Sequence, residues 1–281
     1  GSSMSNAEEY FITIDAIGKF KKIIINKDEY KDISKAKEVL RNAIAIEKKF
    51  EILIRNYYDL EKESLCISLK RMVEISISYS FFFDTILSVD TKIMNLLSSA
   101  RSYIDQMPKD FSKCFCDSRD KHKMALSLIK SKKNNNIKFN FVECLRNHIQ
   151  HNGLPVHNFT AHSAWINIRE NLEHCNIFLA DKNELQNDPR FDKKVLASMP
   201  DKIDLLGAIR EYISALSLLN SEIREQLSLV VSAARKLFEK YINEYSSIIG
   251  HEPIGLTALH RSNRTIVDSI QIFLDWDDVR I

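Results

Sequence analysis

The sequence predicts an all-α protein, a bundle of long antiparallel helices interrupted around residues 154–200 by an irregular or small β-hairpin insertion. Three observations predict it. Only six glycines and five prolines punctuate 281 residues, so the chain has few places to turn. Apolar residues recur at three- and four-residue spacing over long stretches, the mark of one-sided helices. A hydrophobic fraction of 44% is enough to fill a core of this size.

The elements follow in order. From Ser34, a plausible N-cap, to about Lys62, the positions Ala36, Val39, Leu40, Ala43, Ile46, Phe50, Leu53, Ile54 and Tyr57 form one helical face. A second long helix, or two with a break near Ser88 to Asp90, is expected from about Ser64 to Gln106, stopping before Pro108. A shorter one covers about Ser118 to Lys130. "KSKKNNNIK" (130–138) reads as a basic, asparagine-rich loop into another helix that begins near Ile137. Between Gly153 and Pro200 short apolar runs mix with Asn, Thr and Ser, a pattern of strands and loops. Helical periodicity resumes from Asp201 to about Ser247 through Ile203, Leu206, Ile209, Ile213, Leu216, Leu219, Ile223, Leu227 and Val230. The expected organisation is an N-terminal helical segment (4–62) packed on a helical domain (63–250), followed by a tail (251–281) for which helix and strand both remain open.

Composition restricts the function classes. Forty Lys and Arg against 38 Asp and Glu leave a net charge of +2, which excludes nucleic-acid binding by bulk charge and permits only local basic patches. The most apolar stretch, "MVEISISYSFFFDTILSV" (72–89), carries Glu74 and Asp84 and reads as a buried or interface helix, with no membrane association. Five scattered cysteines (Cys66, Cys114, Cys116, Cys144 and Cys175) fit reduced thiols. Gly1–Ser3 read as a cloning remnant before Met4, with no secretory pattern after it. The expected localisation is cytoplasmic.

Chemistry concentrates in "LRNHIQHNGLPVH" (145–157), which holds three of the eight histidines. At about 100° per residue, Phe141, Val142, Leu145 and Ile149 share one arc, and Glu143, Asn147, Gln150 and His151 the opposite one. The core side is filled without the polar residues. Arg146 stands at the edge of the polar arc, and the five residues to His151 rise roughly 7.5 Å, a gap that an arginine side chain can lean across to share a phosphate-sized ligand. Asn152 and Gly153 are expected to end the helix, with Gly153 in a left-handed C′ position and Pro155 preventing continuation.

"RNHIQH" resembles the arginine, four to six residues, histidine motif of HEPN domains, including the polar residue directly after the arginine. The resemblance implies an α-helical bundle that dimerises with two motif copies facing each other, and in many members a metal-independent endoribonuclease of toxin–antitoxin or antiviral defence systems. It implies Arg146 on the scissile phosphate, His151 as general acid or base and Asn147 positioning the site. Glu143, His148 and Gln150 are candidate supporting residues, and Lys130, Lys132, Lys133 and Lys138 candidate guides for single-stranded RNA. The partners implied are RNA, a second copy of the chain and an antitoxin or defence-system protein. No cofactor and no metal is expected. Gly153 stands where one subgroup carries a tyrosine two residues after the histidine, which disfavours that subgroup.

The chemistry fits these residue types. RNA brings its own nucleophile, the ribose 2′-OH, so cleavage needs a base for its proton, an acid for the leaving oxygen and positive charge on the phosphate. Histidine exchanges protons near neutrality and arginine binds phosphate oxygens in pairs. With 14 arginines and 8 histidines, the bare spacing arises by chance roughly once, and asparagine in second place lowers that to about one in ten. "RENLEH", Arg169 to His174, matches the spacing but has Glu170 in that place. Two rival readings stand beside cleavage. One is a catalytically inactive helical module for interaction or nucleotide binding. The other is a metal cluster drawn from His148, His151, His157, His162, Glu143 and Cys144, whose spacing matches neither zinc fingers nor His-Glu-x-x-His.

Overall fold

The computed structural model describes residues 7–74, 78–167 and 171–280, and within 161–175 only the backbone. In chain order the elements are β1 (Glu8–Ile14), β2 (Ile23–Ile25), α1 (Lys27–Val73), α2 (Tyr79–Lys113), α3 (Arg119–Asn135), α4 (Ile137–His151), β3 (Asn158–Asn167), β4 (Asn171–Asp181), α5 (Lys182–Gln186), α6 (Lys193–Ala197), β5 (Lys202–Asp204), α7 (Leu205–Ile249), β6 (Leu256–Ser262), β7 (Thr265–Gln271) and α8 (Asp275–Asp278). The chain is mostly helical, as its periodicity predicts. It is not all-α: the described residues also form two antiparallel sheets, ordered β2-β1-β6-β7 and β3-β4-β5.

The helices run longer than the sequence signals indicate. α1 starts seven residues before Ser34 because Asn26 and Glu29 form a reciprocal cap: the Glu29 amide donates to Asn26 Oδ1 at 2.8 Å and the Asn26 amide to Glu29 Oε1 at 3.4 Å. Ser34 is an exposed residue inside the helix. α1 then passes the expected boundary near residue 63 without interruption. α2 runs through Ser88–Asp90 unbroken and carries Pro108 inside it. The lysines expected in a loop belong to helices, with Lys130, Lys132 and Lys133 at the end of α3 and Lys138 at the start of α4, and only Asn136 between.

The chain divides into two compact units. One gathers 1–47, 108–123 and 223–281. Its sheet pairs β1 with β6, Tyr10 opposite His260, and buries Phe11, Ile12, Leu256 and Ala258 with Ile33, Leu40, Phe238 and Tyr245 from its helical segments. The tail is thus a hairpin, β6-β7, ending in the short α8, and the first element among the described residues is a strand rather than a helix.

The other unit gathers 48–107 and 124–222. The insertion is the hairpin β3-β4, with Phe159 opposite Phe178 and β5 as third strand. Leu53, Leu96, Tyr103, Phe139, Phe141, Leu145, Ile209, Tyr212 and Leu216 make its core, all within 2% of full burial. Asp204 caps the start of α7 by accepting from the Gly207 amide at 3.2 Å. A Cβ on residue 207 would stand 2.6 Å from Asp204 Oδ2, so a side chain there would make the capping carboxylate shift. None of the described helices is long and apolar enough to cross a membrane.

Candidate functional site

Helix α4 is fixed at both ends and along one side. Asn136 caps it, its Oδ1 accepting from the Phe139 amide at 3.1 Å. Phe139, Phe141, Val142 and Leu145 are fully buried, and the Phe139 ring lies 4.7 Å from that of Tyr212 on α7. Burying four such side chains contributes on the order of 6–12 kcal/mol before ordering costs, enough to hold the opposite side of the helix in place. At the C-terminus the His148 carbonyl accepts from the amides of Asn152 (2.8 Å) and Gly153 (3.2 Å). Gly153 does not take the expected left-handed conformation, because Asn152 ends the helix with φ −133°.

On the polar arc, Arg146 is half-buried while Asn147, Gln150 and His151 are exposed. The arginine donates through Nη2 to Asn147 Oδ1 at 2.6 Å and through Nη1 to Gln150 Oε1 at 3.3 Å, and its Nε is buried with no partner among the described residues. These acceptors are neutral amides. Several other arginines end on carboxylates, Arg210 twice on Glu61, Arg224 twice on Glu47, and Arg235 on Asp277 and Asp278, while Arg71, like Arg146, donates to a neutral amide, Asn176 Oδ1 at 3.0 Å. His151 makes no hydrogen bond among the described residues. Arg146, Asn147 and Gln150 therefore form one hydrogen-bonded group, with Arg146 oriented and its charge left unpaired by any described acid, and the exposed His151 follows five residues on, about 140° further round the helix.

Glu143, one turn before Arg146, is engaged. Its Oε1 accepts from the Tyr212 hydroxyl at 2.6 Å and its Oε2 lies 3.7 Å from Arg101 Nη1. Tyr212 is pushed well above the ordinary phenol range, by burial first and then by the Glu143 carboxylate, so it stays a donor. This acid anchors α4 to α7. Two of the four lysines are likewise committed: Lys132 Nζ is 2.7 Å from Glu222 and Lys138 Nζ 2.9 Å from Glu211. Lys130 is exposed and Lys133 half-buried.

His148 stands apart from the group. Two residues along a helix turn the chain about 200°, which sets His148 on the side of α4 away from Arg146. It is 7% exposed, and its Nδ1 lies 2.9 Å from Oδ2 of Asp188, itself buried. Burial works to raise the Asp188 carboxyl, but hydrogen bonds from His148, the Arg190 amide and Asn152 outweigh it and hold that carboxyl below the usual range. The histidine on the core side needed a partner, and an acid 40 residues downstream supplies it. That requirement was the signal available in the sequence; which acid answers it was not.

Of the residues weighed for a metal, no three His, Cys, Asp or Glu side chains converge on a common point among the described residues. His157 lies beside His148 in a cleft, and the side chain of His162 falls outside the described residues, as do Arg169 and Glu170 of the second arginine-histidine spacing and the side chain of His174. The free thiol of Cys114 is buried and pushed up to about 12 by that burial and does no chemistry near neutrality. No protein-family model, curated protein or solved structure matches this chain at a significant level.

Proposed function

We propose that the chain is a metal-independent endoribonuclease of HEPN type that acts on single-stranded RNA or tRNA. The observation that carries this reading is Arg146: a half-buried guanidinium, oriented by the neutral amides of Asn147 and Gln150, with the exposed imidazole of His151 five residues further along the same helix. A cation held in place without a carboxylate partner is suited to an anionic ligand, and a histidine within one helical turn and a half supplies the proton transfer. In the reaction, the ribose 2′-oxygen attacks phosphorus, one histidine takes the hydroxyl proton, the bond to the 5′-oxygen breaks, and a second histidine protonates that oxygen. One copy of the motif provides one such histidine. Two copies facing each other provide both, so the active species under this reading is a homodimer, with toxin–antitoxin or antiviral defence as its setting and a partner protein as its restraint.

The test is cleavage of end-labelled single-stranded RNA and tRNA in EDTA by the wild type, Arg146→Ala and His151→Ala, each shown to be folded. The expected products end in a 2′,3′-cyclic phosphate and a 5′-OH, and both variants lose them. Products with 3′-OH ends, or cleavage undiminished in both variants, overturn the proposal.

A further inference from the structure

On the other side of α4 lies a cleft of about 420 Å³ lined by His148, Asn152, Gly153, Val156, His157, Glu184, Asn187 and Asp188, among others. Its chemistry is independent of the arginine-histidine motif. His148 gives its Nδ1 hydrogen to Asp188, and in that tautomer the lone pair of the ring is on Nε2. That nitrogen has no hydrogen-bond partner among the described residues, and it is not among the fully enclosed unpartnered atoms; it reaches the cleft although its residue is 93% buried. Residue 153 carries no side chain beside it: a Cβ there would lie 3.6 Å from Nε2, in ordinary contact with the face a ligand would use.

The surroundings are electron-rich. The Asp188 carboxylate lies behind the ring, and Glu184, whose side chain is 62% exposed, lies at the mouth. The C-terminal end of α4, with its partial negative charge, closes one wall. His157 accepts from the Asp181 amide through Nδ1 at 2.8 Å, which leaves its hydrogen on Nε2, 3.5 Å from Glu184. Burial lowers His157 below the ordinary histidine value, so that ring adds no positive charge at neutrality.

We propose that this cleft binds an organic cation that donates hydrogen bonds, an ammonium or guanidinium group, with His148 Nε2 as the buried acceptor and Glu184 as the counter-charge at the mouth. The carrier is either a free small molecule or a lysine or arginine side chain of another protein. A metal ion is a poorer fit, since the acceptors do not converge on one point, whereas a planar guanidinium spreads its donors over several.

The experiment is a titration of the full chain, labelled with ¹⁵N in its histidine rings, with three probes: agmatine, a capped Gly-Arg-Gly peptide and inorganic phosphate. Saturable shifts of His148 and His157 with agmatine or the peptide are expected, weakened at least tenfold by Gly153→Ala, whose methyl group makes only an ordinary contact, and several-fold by the surface change Glu184→Gln. Tighter binding of agmatine assigns a small-molecule ligand, and tighter binding of the peptide assigns a protein side chain. Shifts caused by phosphate instead, no shift with any probe, or binding unchanged in both variants overturns the proposal. Repeating the titration with His151→Ala keeps the result separate from RNA cleavage, since this site predicts no change there.

Discussion

The Tyr212 hydroxyl donates to Glu143 Oε1 across 2.6 Å, joining α7 to α4 one turn before Arg146. Tyr212→Phe keeps the buried ring and removes the donor. The half-buried carboxylate is then under-satisfied, and a loss of about 1–3 kcal/mol of stability is expected, read by urea denaturation. A midpoint equal to the wild type would mean that water replaces the hydroxyl without cost.

His151 and Arg146 are expected to behave differently in stability and alike in activity. His151 is exposed and without a described hydrogen bond, so His151→Ala is expected to change stability by less than about 0.5 kcal/mol while lowering cleavage by at least ~100-fold. Arg146→Lys keeps the charge and loses the planar fork, and is expected to cost at least ~10-fold in cleavage. Thermal melts beside single-turnover cleavage check both.

Asp188 and His148 form a buried pair whose two members are not expendable. Asp188→Ala leaves the buried Nδ1–H of His148 without its acceptor and is expected to cost about 1–3 kcal/mol. The pH dependence has a definite sign. The folded carboxyl sits below its ordinary value of 3.8, so its contribution is complete above that value and is lost as pH falls through the lower folded value. A pH series of melts, wild type against Asp188→Ala, checks it.

Asp90 runs the other way. It is 1% exposed, its Oδ1 accepts from the Val156 amide at 2.9 Å, and its Oδ2 has no partner among the described residues. Burial pushes its carboxyl up to about 6 from 3.8, against the lowering effect of the Val156 hydrogen bond. Folding favours the protonated form, so stability falls as pH rises from about 4 to 6 and is level above. Two units correspond to about 3 kcal/mol. Asp90→Asn keeps the acceptor for Val156 and removes the charge; it is expected to flatten this slope and to exceed the wild type in stability at pH 7.

Helix α4 was legible in the sequence from its apolar arc and the Gly153 and Pro155 that follow it, although Lys138 was expected in a loop and Gly153 in a left-handed conformation. α7 was legible from its periodicity, except that Ile203, counted on its apolar face, belongs to β5. The start of α1 was not, since Ser34 competed as a cap with the Asn26–Glu29 pair, and Pro108 was read as a stop although α2 absorbs it. The strand β1 escaped notice, and β6 was left open between helix and strand, because each is a short run whose meaning depends on a partner far away in the chain. In the site, the polar arc could be read from angular position alone. The commitment of Glu143 to Tyr212, of Lys132 to Glu222, and of His148 to Asp188 could not, for each depends on a residue 40 to 90 positions away.

The pairing of Tyr10 with His260 also sets an order of events during synthesis. Strand β1 leaves the ribosome early and waits for β6, some 250 positions later, before any of its edge on that side is covered. At about 5–20 residues per second that interval is roughly 12–50 s. Throughout it the segment "EEYFITI" is an unpaired, aromatic and β-branched strand, protected at most by the three residues of β2. The nascent chain is therefore most exposed to chaperones and to misassembly at β1, and slowing translation between β1 and β6 should lower the yield of folded protein more than slowing it after β6.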